Sequence, residues 1–453
     1  MLQMRNPGDL TSAGADRAER GLGIDRAHWR TLIISSLGGA LEFYDFVVFS
    51  TFAPFIGQAF FPVGNALTQL MLTFTVFAVG YVARPLGGVV FSHFGDRYGR
   101  RRVFIVSMLM MSGGTLAIGL LPGYARWGLA ASGGIVLLRL LQGFSLGGEL
   151  PGAITYVVET APRRAGFATG FIFFCVNTGV ALAAVLSLIL HQLLGPTEMA
   201  VWGWRIGFLV GGALGLVSFW LRMTLQETDE FRKIREAASG RPFVELLRTS
   251  PVPVIVGVAA MTATAGFNGL LFAMPGFLPN VMHYTTLQAI EAQNYGLLVL
   301  SFGLLGAAWL GDHIPRRWIL AVGSLLLAMF CFPFFNALAD RSIGLVPLFL
   351  GAGLAASFCN GPMCGVVGDL FPTRIRFSGV AVAFNLAFSG FSGTAPLAST
   401  LLVRATGSIT GPAWFMLVCA SITFLSTLVL KRYEGHILGT MPSQAVARAP
   451  SSA

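Results

Sequence analysis

Asp45 and Glu42 stand three residues apart in Leu41-Glu42-Phe43-Tyr44-Asp45-Phe46, inside a long apolar run. Residues at that spacing share one face of a helix. An ionisable group within a membrane span costs about 2.5 kcal/mol or more unless it is paired or wetted, so carboxyl groups kept there are candidates for taking up and releasing protons. Arg139, the one basic residue in the apolar stretch 131–157, is the matching candidate for holding an anion. At 1.5 Å per residue, Glu42 and Asp45 lie about 15 and 20 Å from the inner start of their run, and Arg139 about 12 Å from the outer end of its own. In a hydrocarbon core about 30 Å thick these depths nearly coincide, so Asp45 is expected to pair with Arg139. Capture of Arg139 by a substrate would weaken that pairing and let Asp45 or Glu42 take a proton, with closure favoured once the site is neutral. The plainer alternative is a structural ion pair, or an acid that only packs the first helix.

Other polar side chains in the apolar runs are Tyr44, Gln142, Asn177, His191, Asn268, Asn360 and Asn385. Tyr44, Gln142, Asn177, Asn268 and Asn385 join Arg139 as the expected substrate-binding set, although an interhelical hydrogen bond explains each of them equally well. No charge falls in mid-span in the later runs 253–281, 293–311, 343–367 and 378–403. Substrate charge must therefore be met by Arg139, or by helix ends where Gly and Pro interrupt the chain, as at Met274-Pro275-Gly276 and Asn360-Gly361-Pro362.

These residues need elements that cross a membrane, and the composition supplies them. Of 453 residues 55% are hydrophobic and 11% charged, with a mean hydropathy of +0.72, whereas soluble domains carry about 25% charge. Twelve apolar stretches are long enough to span as helices: 32–57, 67–91, 103–122, 131–157, 166–193, 204–222, 253–281, 293–311, 318–337, 343–367, 378–403 and 411–430. Helices satisfy their own backbone in lipid, and the alternation of a β-barrel is missing. The fold class expected is an all-α integral membrane protein.

The chain also repeats itself. Gly95-Asp96-Arg97-Tyr98-Gly99-Arg100-Arg101-Arg102 is echoed half a chain later by Gly311-Asp312-His313-Ile314-Pro315-Arg316-Arg317. Glu159-Thr-Ala-Pro162-Arg-Arg164 is echoed by Asp369-Leu-Phe-Pro372-Thr-Arg374, with acid, proline and arginine at the same offsets. Two turns repeating at nearly one period mark an internal duplication. The expected organisation is an N-terminal arm (1–30), a six-helix half (31–223), a polar linker (224–250), a second six-helix half (251–431) and a short tail (432–453).

The net charge of +10 is topological. Arginines crowd the arm, the Asp96 turn, Arg163 and Arg164, the linker, Arg316, Arg317, Arg374, Arg376 and the C-terminal end, whereas the opposite side has Arg126, Arg205, Arg341 and Arg404. The crowded side is cytoplasmic by the positive-inside rule, so both termini are expected inside and nucleic acid is not an expected partner. The first 30 residues show no cleavable signal, and the first span is the expected insertion signal. The five cysteines have no CxxC spacing, which predicts neither a metal nor a disulfide framework. Lys occurs only at 233 and 431, so no GxxxxGK[ST] exists, and HExxH is missing. No cofactor or enzymatic chemistry is expected, and energy has to come from an ion gradient or the substrate's own.

The Asp96 turn between the second and third spans, with Arg139-Leu-Leu-Gln142-Gly143 in the fourth, resembles the major facilitator superfamily. Within it the chain is most similar to the metabolite:proton symporter family, whose members carry citrate, α-ketoglutarate, shikimate and the osmolytes proline and betaine. The resemblance rests further on Leu41 to Phe46, Arg84-Pro85-Leu86-Gly87-Gly88, Gly147-Gly148-Glu149, Trp202-Gly203-Trp204-Arg205, Gln226-Glu227-Thr228, Phe371-Pro372-Thr373-Arg374-Ile375-Arg376 and Gly393-Thr394-Ala395-Pro396. It runs from about residue 29 to 432, densest in the N-terminal half. It implies twelve helices in two pseudo-symmetric halves, alternating access, and a cytoplasmic gate in which Arg84, Asp96, Arg97, Gly99, Arg100, Arg101 and Glu149 latch the second and fourth helices to the start of the eleventh. Ser92 replaces the usual first glycine of the turn. His313 and Pro315 replace Arg and Gly in the second copy, so gating is expected from the first copy.

The function expected is proton-coupled symport of a small carboxylate across the cell inner membrane by a monomer. Uptake of a zwitterionic osmolyte keeps the fold and changes the substrate; against it, the tail lacks the heptads of a coiled coil. A non-transporting receptor on the same scaffold is the alternative of another class, and export of toxic compounds a further one.

Overall fold

The computed structural model describes residues 26–98, 100–223, 242–433 and 435–437. Among the described residues twelve apolar helices, some of them broken, follow one another, ten of them long and apolar enough to cross a membrane, or eleven with the bent first pair taken as one. α1 is Arg26–Thr51 and, beyond a 62° bend at Phe52, Ala53–Phe60. α2 is Ala66–Tyr98, α3 Arg100–Leu120, and α4 Leu129–Ser145 continued by Glu149–Thr160. α5 is Ala165–Leu193 and α6 Trp204–Met223. After the linker helix Pro242–Thr249 come α7 (Pro251–Met282), α8 (Thr286–Leu310), α9 (Arg316–Asp340) and α10 (Leu345–Asp369). α11 is Thr373–Ala387 and Ala395–Thr406, joined by a π-helical turn at Phe388–Ser392, and α12 is Gly411–Leu430.

Every apolar stretch read from the sequence is a helix. Three interruptions were not legible in hydropathy: the bend in α1, a 3-10 turn at Leu146–Gly148 inside α4, and the π turn in α11. Side chains such as Val82, Leu86, Leu137, Ile255, Phe302 and Met329 are exposed on the outside, as lipid contact requires. α7 is buried along most of its length, at the seam between the two halves.

α2 and α4 pack backbone to backbone. A Cβ on Gly87 would overlap the Phe144 carbonyl, and one on Gly143 would overlap that of Gly80. The glycines of the Arg84 to Gly88 and Gly143 to Gly147 motifs are thus contact surfaces that let these helices approach. Two arginines at the opposite end from the arginine-rich turns close helix ends: Arg205 donates to the carbonyls of Gly119 and Leu121 at 2.9 and 2.7 Å, and Arg341 to those of Met282 and His283 at 3.2 and 3.1 Å. Both complete the unpaired carbonyls of a C-terminus with a favourable charge.

Candidate functional site

α1 presents Phe43, Phe46 and Phe49 on one face, and α2 adds Phe77 and Tyr81. The Tyr81 ring meets Phe46 edge-on with centroids 4.7 Å apart. Arg139, fully buried on α4, enters this aromatic box with its guanidinium 4.2 Å from the Phe46 centroid, 4.3 Å from Phe49 and 5.3 Å from Phe77. Its Nη1 donates to the Phe46 carbonyl at 3.3 Å and to Gln142 Oε1 at 3.0 Å, while Nε and Nη2 have no partner.

Arg84 lies in the same box. Its guanidinium stands 5.0 Å from Tyr81, 5.4 Å from Phe46 and 5.6 Å from Phe43, buried, with Nε and Nη1 unpartnered. This corrects its expected position. Arg84 was to sit beside the Asp96 turn, but α2 continues as helix to Tyr98, so the offset of twelve positions between them spans about 18 Å.

The expected pairing of Asp45 with Arg139 is also corrected, since no ion pair joins them. Neighbouring residues diverge by about 100° around a helix, so while Phe46 faces α2 and α4, Asp45 turns toward α3 and α6. A Cβ on Gly211 would overlap Asp45 Oδ1, and one on Gly215 would lie 3.3 Å from Oδ2. Asp45 is buried, Oδ1 has no partner, and Thr115 of α3 packs against the same glycine of α6, Gly211. Gln142 Nε2 donates to Thr115 Oγ1 at 2.8 Å, and the Thr115 hydroxyl donates to the Met111 carbonyl at 3.0 Å. Arg139 is therefore joined through Gln142 to Thr115, with no hydrogen bond from there to Asp45.

The other expected binding residues are placed elsewhere. The Tyr44 hydroxyl donates to the Gly207 carbonyl of α6 at 2.9 Å. Asn268 Nδ2 donates to Asn360 Oδ1 at 3.2 Å within the C-terminal half. Asn385 of α11 donates to the Gly147 carbonyl at 2.7 Å, across the seam at the break in α4, and its Oδ1 is unpartnered. Asn177 is buried with Nδ2 unpartnered, and His191 Nδ1 lies 2.8 Å from the Ser187 carbonyl. Beside Asn385, Ser389 donates to the Tyr81 carbonyl at 2.6 Å and Ser392 to the Tyr81 hydroxyl at 3.3 Å, which joins α11 to the aromatic box. Ser50 of α1 donates to the Phe272 carbonyl of α7 at 2.6 Å, a further contact between the halves.

Gly143-Phe144-Ser145-Leu146-Gly147 spells the GxSxG pattern of serine hydrolases. Here it lies in a helix, both glycines face α2, and Ser145 Oγ donates to the Gln142 carbonyl at 2.7 Å. The strand-to-helix elbow that would aim such a serine is missing from this stretch.

At the end of the bundle that carries the arginine-rich turns, the seam between the halves is held by residues outside the expected gate set. Arg376, at the start of α11, donates to Glu159 at the end of α4 at 3.1 Å, and its Nε is held by the carbonyls of Gly368 and Phe371 at 3.1 Å each. Asp312 accepts from the backbone amides of Gly166 and Phe167 at 2.7 and 2.9 Å, and from Arg316 at 3.0 Å. The second copy of the charged turn thus caps the N-terminus of α5 across the seam, contrary to the expectation that only the first copy would gate. The carboxylate meets first-turn N–H groups and the positive end of a helix there, which explains why His313 and Pro315 do not disable it. The signal that could have found these residues was in the sequence, because Glu159, Asp312 and Arg376 all belong to the repeated or motif turns. The side chains of Glu42, Asp96, Arg97, Arg100, Arg101 and Glu149, and the whole of Gly99, lie outside the described residues.

A strap from the C-terminal segment crosses the same region. Asp369 accepts from the amides of Gly435 and Ile437 at 2.9 and 2.6 Å, and Arg376 Nη2 donates to the His436 carbonyl at 3.3 Å. Gly435 has φ 116°, a conformation that favours glycine. Burial lowers the His436 pKa, Asp369 opposes that shift, and Arg376 adds to it.

The description that matches the chain is the Major Facilitator Superfamily, over residues 35–394. A glycine betaine/proline/ectoine/pipecolic acid transporter of Dickeya dadantii is 32% identical over 425 residues, covering 89% of this chain and 83% of that one. A citrate-proton symporter of Klebsiella pneumoniae is 33% identical over 408 residues, covering 89% and 92%. Among solved structures, a D-xylose-proton symporter superposes with a TM-score of 0.71 at 18% identity, covering 91% of this chain and 99% of that one. At that identity the likeness concerns the fold.

Proposed function

The chain belongs to the Major Facilitator Superfamily, and from that premise we propose that it is a proton-coupled symporter importing a small organic anion across the cell inner membrane. Both termini then lie in the cytoplasm, following the arginine asymmetry of the loops. The observation that carries the substrate class is the pair of buried guanidiniums, Arg84 and Arg139, each with two unpartnered nitrogens and neither in an ion pair among the described residues. Buried cations left unpaired are costly, and an anionic ligand supplies what they lack. Two such points suit a ligand with more than one carboxylate. The relative named as a citrate-proton symporter agrees with this reading.

A zwitterionic osmolyte is the second reading. Five aromatic rings surround the site, a surface suited to a quaternary ammonium, and the Dickeya relative is named for betaine and proline. The ring faces are already occupied by guanidiniums, which favours the anion.

A thermal-shift screen of the purified protein against mono-, di- and tricarboxylates and betaines decides between them. A ligand at 100 times its Kd adds about 2.7 kcal/mol of stability. Stabilisation by carboxylates alone is the expected result, and stabilisation by betaine alone would overturn it. In proteoliposomes, Asp45→Asn is expected to lose pH-driven accumulation and keep exchange; unchanged accumulation would remove Asp45 from the coupling role.

A further inference from the structure

Pro85 of α2 and Pro151 of α4 carry no N–H, so neither donates to the carbonyl four residues before it, Tyr81 in one helix and Gly147 in the other. Both carbonyls are nevertheless paired, and by one helix of the opposite half. Ser389 Oγ of α11 donates to the Tyr81 carbonyl at 2.6 Å, and Asn385 Nδ2 donates to the Gly147 carbonyl at 2.7 Å. Asn385 and Ser389 stand four residues apart, on one face of α11, and both are buried. Glycines leave room for the contact. A Cβ on Gly88 would stand 3.0 Å from the Gly147 carbonyl oxygen and 3.4 Å from Asn385 Nδ2, and one on Gly393 would overlap the Tyr81 side chain.

We propose that Asn385 and Ser389 are positioning residues of a lid on the box that holds Arg84 and Arg139, docked into two sockets that the prolines open in the N-terminal half. The inference rests on the transporter reading and holds for either class of ligand. Neither residue touches the ligand in this role.

A ligand reaches the buried guanidiniums only when part of their cover moves. Tyr81 forms the wall on the side of Arg84, its ring 5.0 Å from that guanidinium, and α11 covers Tyr81 with Ser389, Ser392 and Gly393. A carbonyl bonded within its own helix offers a neighbour little. One freed by proline has to be matched, by water where the cavity is open and by a side chain where it is shut. Closing the lid exchanges water for Ser389 and Asn385, and parting it lets water take both places, so neither state strands a polar group. Such uncharged bonds suit a contact that forms and breaks in every cycle. Ser389 also lies in the π-helical turn of α11, where the Gly393 amide donates to the Phe388 carbonyl at 2.9 Å, and turns of this kind gather at functional sites.

The same pairing occurs within one half, where it cannot act as a lid. Gln293 Nε2 of α8 donates at 2.9 Å to the Leu271 carbonyl, which Pro275 of α7 leaves without its helical donor. That bond joins two helices of the C-terminal half and does not cross the seam. The lid is also separate from the ion pair at the arginine-rich end, since Asn385 lies nine positions, about 14 Å, along α11 from Arg376.

The test is hydrogen exchange of the purified full-length protein without ligand, read by mass spectrometry in peptides of α2 (79–88), α11 (385–393) and, as a reference for global loosening, α9. Ser389→Ala is expected to speed exchange in the α2 and α11 peptides about fivefold, the scale of one net hydrogen bond, and to leave α9 unchanged. Pro85→Ala gives the Tyr81 carbonyl its helical donor, so adding Ser389→Ala to that variant is expected to change nothing further. A side chain that merely packs would cost the same in both backgrounds. Asn385→Ala with Pro151→Ala forms a second, independent cycle with the same expectation, which stands if either variant of the first fails to fold. Gln293→Ala, which removes the pairing inside one half, is expected to leave the α2 and α11 peptides at the wild-type rate. Equal acceleration with and without the proline substitution, acceleration that extends to α9, or wild-type exchange in both Ser389→Ala and Asn385→Ala would overturn the lid. These readings need no ligand, so they stand or fall apart from the carboxylate screen.

Discussion

Arg84 and Arg139 share one aromatic ring, with their guanidiniums 5.4 and 4.2 Å from the centroid of Phe46. Neither has a carboxylate within ion-pair distance among the described residues, so the ring holds two cations that an anionic ligand would neutralise. Replacing Arg139 or Arg84 by Met is expected to weaken carboxylate binding at least tenfold, about 1.4 kcal/mol, by calorimetry. Lysine should rescue only part of this, because it keeps the charge without the planar fork. Unchanged affinity in both Met variants would remove the box from substrate binding.

Glu159 and Asp312 close the seam at the arginine-rich end by different means, one through the guanidinium of Arg376 and the other through backbone amides. Both are mostly shielded, with side-chain exposures of 10% and 5%. Glu159→Gln is expected to destabilise the closed seam by about 1–3 kcal/mol, a discounted share of the value for a fully buried pair. Asp312→Ala should cost about 1 kcal/mol as a lost helix cap. Hydrogen exchange at the amides of Gly166 and Phe167 reads both, and exchange as slow as in the wild type would count against the seam.

Gly87→Ala should lower thermal stability, because its new Cβ meets the Phe144 backbone, which cannot swing away as a side chain would. A cost of about 1–3 kcal/mol is expected for such overpacking. Gly113→Ala, where nothing lies within 4 Å, is the control. It should be neutral or stabilising by up to about 1 kcal/mol, from helix propensity. Equal melting temperatures for the two variants would contradict the close approach of α2 and α4.

The C-terminal strap should loosen at acid pH. The His436 pKa is lowered in the folded protein, chiefly by burial, so the docked strap favours the neutral ring. Its contribution is complete above the ordinary histidine range near pH 6.5 and is lost as the pH falls through and below that range. Limited proteolysis after residue 432 should accelerate between about pH 7.5 and 5. His436→Gln should flatten that dependence, and an identical pH profile in the variant would exclude the ring as its cause.

The spans, the duplication and the membrane-embedded charges were legible because hydropathy and charge act locally in the sequence. What Asp45 touches was not. Depth along a helix can be counted from residue number, but the direction of a side chain depends on how α1 is rotated against its neighbours. Asp45 and Arg139 therefore matched in level and differ in facing. Arg84 was misplaced for a related reason, since the helical extension of α2 to Tyr98 lengthens the path to the Asp96 turn. Thr115 carried no sequence signal, being one hydroxyl residue in an apolar helix. Asp312 was undervalued because its motif had decayed, although a helix cap requires only the carboxylate.

The glycine seam between α2 and α4 has a mechanical consequence. Arg84 rides on one of these helices and Arg139 on the other, and where Gly87 and Gly143 meet the opposite backbone there is no side chain left to reorient. Such a pair moves as a single rigid lever. On the symport reading proposed above, the spacing of the two guanidiniums is then expected to stay constant through the cycle, so that a ligand would be measured by the same gauge when it enters from one face of the membrane and when it leaves by the other.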